Sequence, residues 1–315
     1  MALAGEAAGG ALTPEDLRGS PRRRRRESRI RSFFLAAAAL SVVINALIIV
    51  SLLSGTVDFL GKVDLSELWS PHGWFPRRGF FDVRTIFVGT MLVAIVAMVV
   101  ATPLGLGAAM YLSEFASRRA RRMLKPILEV LAGIPSVVLA YFAISFISPN
   151  VVQTLFSGAT FYNMAAAGIA VGILVTPIVA SVAEDALHAV PLSLREASYG
   201  LGAKRRSTST KVVFPAAISG VVAALILGLS RAIGETLIVT IAAGGTGGSQ
   251  LTFNIFGTGQ TMTAAMASLA TGSDQVKGAS TAYPSLFFVG MLLFFFTLGL
   301  NVVSDRFVRR IRQRY

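Results

Sequence analysis

The sequence predicts an all-α integral membrane protein with six transmembrane helices, and three observations carry that reading. First, 54% of the 315 residues are hydrophobic and 14% are charged, with a mean hydropathy of +0.67; a soluble domain carries about 25% charged residues. Second, six apolar runs have the ~20 residues that the helical rise needs to cross a bilayer. They fall at roughly 33–53, 85–112, 124–148, 162–184, 212–243 and 284–304. Third, the basic residues sort by side. Six spans put both termini on one face, and that face collects 23 of the 29 Lys and Arg residues, against Lys62, Arg77, Arg78, Arg84 and Lys277 on the other. The positive-inside rule makes the richer face cytoplasmic. It also accounts for the net charge of +13 with no nucleic-acid partner.

Composition narrows the chemistry. There is no cysteine, which excludes disulfide and thiol chemistry. His72 and His188 lie far apart; His188 follows Glu184 by one helical turn, but two ligands do not make a metal site. No cofactor is expected. The nearest approach to a phosphate-binding P-loop, "GTVDFLGKV" at 55–63, has five residues between its glycines instead of four and Val63 where Ser or Thr is needed. The chain therefore has no nucleotide site of its own and reads as a non-enzyme.

The elements follow in order. Residues 1–31, ending "RGSPRRRRRESRIR", read as a disordered basic tail. The run from Phe33 to Leu53 is too long for a signal-peptide core and lacks a small-x-small cleavage site, so residues 32–84 hold an uncleaved first span and an outer loop. That loop, 54–84, carries both tryptophans and "SPHGWFPRRGFF", which suits the membrane interface. Residues 85–304 form the remaining core of five spans. The third is interrupted by "GIPS" at 133–136 and the fourth carries Pro177, breaks that membrane helices tolerate when neighbours satisfy the freed backbone. Glu129 stands one turn from Lys125, as a snorkelling pair would. The outer loop 244–283 is rich in Gly, Ser and Thr with a short amphipathic piece, "TMTAAMASLA"; it is either a functional loop or a connector. A basic tail runs from residue 305 to 315.

Between spans four and five, residues 185–211 lie on the cytoplasmic face. "VPLSLREASYGLGAKRRSTSTKVVFP" predicts a short helix over about 192–200, a turn at Gly200 and Gly202, and a second helix leading through Thr208 to Pro215. Such a knob suits a groove on a partner. Glu196-Ala197-Ser198, three residues, Gly202, nine residues and Val212-Val213-Phe214-Pro215 resembles the EAA loop of bacterial ABC-importer permeases. The spacing is ungapped, with Ser198, Val212 and Phe214 standing where the pattern has Ala, Ile and Leu. The resemblance implies the type I permease fold with a cytoplasmic coupling helix. It also implies that Glu196, Ala197, Ser198, Gly202 and Pro215 couple the chain to a separate ATPase subunit.

"YLSEFASRRARRMLKPILEVLAGIPSVV" (111–138), residues 184–205 and "LGLSRAIGETLIVTIAAG" (227–244) narrow it further. They resemble the permeases of the high-affinity phosphate importer, nearer the PstC type than the PstA type. The resemblance covers about residues 85–310, departing at Leu139-Ala140, where an aromatic and Gly are expected. It implies a bacterial cell-membrane protein paired with a second permease, two ATPase subunits and an extracytoplasmic phosphate-binding protein.

Arg231 and Glu235 interrupt the fifth apolar run. A charge at the bilayer centre costs about 2.5–3.5 kcal/mol on insertion scales, so the pair needs a use. At i and i+4 they would share one helix face, with Gly228, Ser230, Ala232 and Gly234 allowing close packing inside a bundle. Arg offers a forked set of donors to an oxyanion, and Glu235 can hold it when no anion is bound. In the family resembled, the matching residues line the phosphate route. A purely structural ion pair is the competing reading. Also open are the partner subunit, a sulfate or molybdate permease, a secondary transporter and a membrane scaffold.

Overall fold

The computed structural model describes residues 21–245, 248–271 and 281–311. The chain divides into two compact units, Met1–Ser51 and Leu52–Tyr315. Among the described residues, five helices are long and apolar enough to cross a membrane, and six if one bent pair is a single span.

Helix α1 runs over Pro21–Leu60, so residues 21–31 are helical and correct the expectation of a disordered tail to 31. The apolar run supplies the helix nucleus, and Arg propagates a helix well once it exists. Residues 1–20 of that tail lie outside the described residues. Phe33, Phe34, Leu35, Leu40 and Leu47 are all exposed, as lipid-facing residues are. In the second unit, α1 ends with Phe59 fully buried and a Lys62–Asp58 ion pair of 2.7 Å.

A hairpin follows. Strands β1 (Trp74–Phe75) and β2 (Phe80–Phe81) pair Trp74 with Phe81 and Phe75 with Phe80. Gly79 closes the turn at φ 79°, which a Cβ would resist. Backbone bonds from Trp74 N to Ser249 O (2.8 Å) and from Ser249 N to Trp74 O (3.1 Å) pin the later loop to this hairpin.

Helix α2, Val83–Phe115, is capped by Asp82, whose Oδ1 accepts from Arg84 N at 3.3 Å. Its last turn, Tyr111–Phe115, is widened to i→i+5 bonding. Helix α3 covers Arg118–Ala132, with no residue buried, and α4 covers Ser136–Leu155. The expected third span, 124–148, is therefore two helices parted at Gly133–Pro135. Pro135 lacks an N–H to carry the ladder onward. Helix α5, Met164–His188, starts at Asn163, whose Oδ1 accepts from Ala166 N at 2.7 Å.

The knob consists of α6, Leu192–Gly200, and α7, Arg205–Ala216. Helix α8, Ile218–Ile233, leaves α7 at a bend of 71°, two residues past Pro215. The chain then breaks at Gly234–Thr236 before α9, Leu237–Ala242. The expected single span over 212–243 is thus three pieces. Helix α10, Met262–Ala270, matches the short piece expected in the second loop, and α11, Ala282–Ile311, carries helix through 305–311, where a tail was expected.

Helix α5 is the hub. Its most extensive partner is α2, with α8, α3 and α4 around it. Small residues let the backbones approach, as membrane interfaces require. A Cβ on Gly168 would stand 2.6 Å from Val96 Cβ, one on Gly172 2.8 Å from Ala97 O, and one on Gly228 2.6 Å from Val179 Cγ2. Gly168→Val is expected to destabilise the folded protein by about 1–3 kcal/mol through overpacking, read as a lower melting temperature in detergent with the secondary structure intact.

Candidate functional site

Two regions gather the residues singled out by sequence. The first is the α8–α9 break. Gly234 caps α8 and Glu235 falls outside both helices. The expectation that Arg231 and Glu235 share one continuous helix is corrected, yet the pair forms, with Arg231 Nη1 3.1 Å from Glu235 Oε2. The two ends differ sharply in burial: the Glu235 side chain is 3% exposed and that of Arg231 is 44% exposed.

Glu235 is held on three sides. Its Oε1 accepts from Ile238 N at 3.4 Å, at the start of α9. Its backbone oxygen accepts from Thr263 Oγ1 at 2.7 Å, which ties the break to α10. A carboxylate fixed in this way presents Arg231 as a positioned cation. Arg231 does not point into this subunit's core. It shares an exposed stripe with Leu227, Gly234 and Leu237. On a membrane helix a cation facing outward needs a wet cavity or a polar neighbour.

The second region is the knob. Pro191 precedes α6. At the other end Gly202 N donates to Tyr199 O (2.9 Å) and Ala203 N to Ser198 O (3.2 Å), with Gly202 at φ 77°. These paired bonds are the Schellman closure, which needs a left-handed residue after the cap. The glycine therefore shapes the tip. Glu196 and Ala197 face solvent. Ser198 is turned inward, with its hydroxyl 2.9 Å from that of Thr208, and Pro215 sits at the foot beside the bend. Leu192 and Leu201, 71% and 90% exposed, complete an apolar rim that the sequence reading passed over.

Behind the knob lie two buried carboxylates whose partners sequence did not show. Glu114, in the widened turn of α2, accepts from Arg195 Nη1 of α6 at 2.7 Å and from Ser209 Oγ of α7 at 3.3 Å. Glu184, at the end of α5, is paired with Arg121 and, at 3.0 Å, with Lys125. This corrects the expected Lys125–Glu129 pair: Lys125 turns to Glu184 and Asp185, because a buried carboxylate binds a cation more strongly than an exposed one at i+4. The hydrogen bond to Glu184 raises the Lys125 pKa above its ordinary 10.5. A raised lysine pKa adds stability that is complete below the ordinary value and is lost as pH climbs through the raised one. The contact is therefore intact throughout neutral pH.

Comparison with known proteins agrees with this architecture. Residues 101–315 match the family described as binding-protein-dependent transport system inner membrane component. The chain is 31% identical to the "Probable ABC transporter permease protein YqgH" of Bacillus subtilis, covering 72% of this chain and 75% of that protein. It is 29% identical to the "Phosphate transport system permease protein PstC" of Pasteurella multocida, covering 85% and 87%. Among solved structures, a bacterial ABC transporter involved in the import of the acidic polysaccharide alginate superposes with a TM-score of 0.63 at 16% identity, over 92% of this chain and all of that one; at that identity the likeness speaks to fold alone. With a membrane bundle of five or six spans and a family match over most of its length, this chain belongs to the inner membrane components of binding-protein-dependent ABC transport systems.

Proposed function

We propose that this chain is a permease subunit of an ATP-driven importer of inorganic phosphate in a bacterial cell membrane, with both termini cytoplasmic. It forms the translocation path with a second permease, couples to two ABC ATPase subunits and receives phosphate from an extracytoplasmic binding protein. The observation that carries this is Arg231, a half-exposed guanidinium on an apolar stripe, anchored from behind by buried Glu235. A planar fork of donors that stays charged at any working pH suits a tetrahedral oxyanion, and the adjacent carboxylate keeps the anion from binding too tightly to leave. Several relatives named as phosphate permeases support the substrate. In this reading Glu196 and Ala197 meet the ATPase, Ser198, Gly202 and Pro215 hold the knob in shape, and ATP-driven closure rocks the helices between two access states.

Uptake of labelled phosphate into proteoliposomes holding the co-purified complex tests the reading. Excess unlabelled phosphate should suppress uptake, and equal sulfate or molybdate should not. Equal competition by sulfate or molybdate would make this a permease for another oxyanion. Absence of any ATPase on the purified chain would favour a secondary transporter.

A further inference from the structure

The permease reading leaves a mechanical question. A push on the knob reaches α5 and α7 through the chain, because α6 is joined directly to both. It has no such route to α2, the most extensive partner of α5. Glu114, on α2, is 81 residues from Arg195.

The inward side of α6 answers it. Arg195 sends one prong to each neighbour: Nη1 donates to Glu114 Oε1 at 2.7 Å, and Nη2 donates to Leu187 O, in the last turn of α5, at 2.8 Å. The other oxygen of Glu114 takes the Ser209 hydroxyl of α7 at 3.3 Å. Four helices thus meet at one guanidinium and one carboxylate, with side chains 13% and 3% exposed. The same helices also meet through an apolar cluster that includes Ala109, Leu187, Val190 and Val213, with Leu194 against it. Apolar contacts can slide. A buried ion pair resists sliding, since displacement strands an unmatched charge.

Resting on the permease reading, we propose that the buried Glu114–Arg195 pair is the positioning strut that makes α2 move with the knob, keeping uptake tied to ATP hydrolysis. Both residues act through the helices and touch neither phosphate nor nucleotide.

The test uses the whole transporter in proteoliposomes, carrying Glu114→Gln, Arg195→Gln or the exchange Glu114→Arg with Arg195→Glu. Read out are ATPase retention, ATP hydrolysis and phosphate uptake per ATP. The single variants should keep the ATPase and hydrolyse ATP, with uptake per ATP falling about 10-fold; the exchange should recover most of it. An unchanged ratio in an assembled single variant would overturn the strut, including the case where uptake and hydrolysis fall in proportion. If Glu114→Gln does not assemble, Arg195→Gln decides, because it removes the cation from the same pair and leaves Glu114 in place. Failure of the unaltered chain to carry an ATPase would sink the permease reading itself, before any variant is made.

Discussion

Arg231→Gln is expected to lower phosphate uptake by about two to four orders of magnitude while leaving ATPase association unchanged. A charged donor is worth about 1.5–3 kcal/mol per hydrogen bond, and each 1.4 kcal/mol is tenfold in rate. Two prongs to one oxyanion give that range. Arg231→Lys keeps the charge but loses the fork, so its uptake should fall between the two. Glu235 sharpens the experiment. It is buried and its one salt-bridge partner among the described residues is Arg231, so the single variant strands a carboxylate. Arg231→Gln with Glu235→Gln relieves that stranding. Stability should recover in the double variant and uptake should not. Recovery of uptake as well would make the pair a structural clasp and remove it from the phosphate path.

Leu201→Asp should weaken ATPase capture by about two orders of magnitude. Leu201 stands at the tip of the knob, 90% exposed, directly before the glycine that reverses the chain. Burying such a side chain in a partner's groove contributes about 1.5–3 kcal/mol, and burying a carboxylate there instead costs more. The folded chain loses nothing, because solvent already surrounds the residue. Gly202→Ala is the graded companion. A Cβ at Gly202 meets no atom within 4 Å, so the only penalty is the left-handed backbone, about 1–2 kcal/mol. Pull-down from mild detergent should rank intact chain above Gly202→Ala above Leu201→Asp. Equal capture of Leu201→Asp and intact chain would remove the tip from the contact.

Sequence reveals what is local. Hydropathy finds the spans because each holds a long, mostly apolar run, and Pro191, Gly200 and Gly202 mark the knob because turns depend on residues next to each other. The break at Ala217 escaped because its neighbours stay apolar across the bend, and that at Gly234 because a hydropathy window averages Glu235 and Thr236 with the apolar residues on either side. Arg231–Glu235 was visible at a spacing of four, although the continuous helix expected to join them is broken at Gly234. Glu114 and Glu184 read only as blemishes near the ends of apolar runs. Their partners Arg195 and Arg121 lie 81 and 63 residues away, and no periodicity spans that distance. The sequence shows that a charge needs a partner and leaves the fold to choose it, as it does when Lys125 passes over Glu129.

The stripe of Leu227, Arg231, Gly234 and Leu237 has a consequence for the life of the protein before it joins its complex. In a copy without partners the Arg231 side chain is 44% exposed, and a charge left against acyl chains costs about 2.5–3.5 kcal/mol. Whatever covers that face removes the cost, and mass action favours the covered form accordingly. If the proposed second permease is what covers it, copies made in excess are the least stable, and a shortage of that subunit should shorten the half-life of this chain.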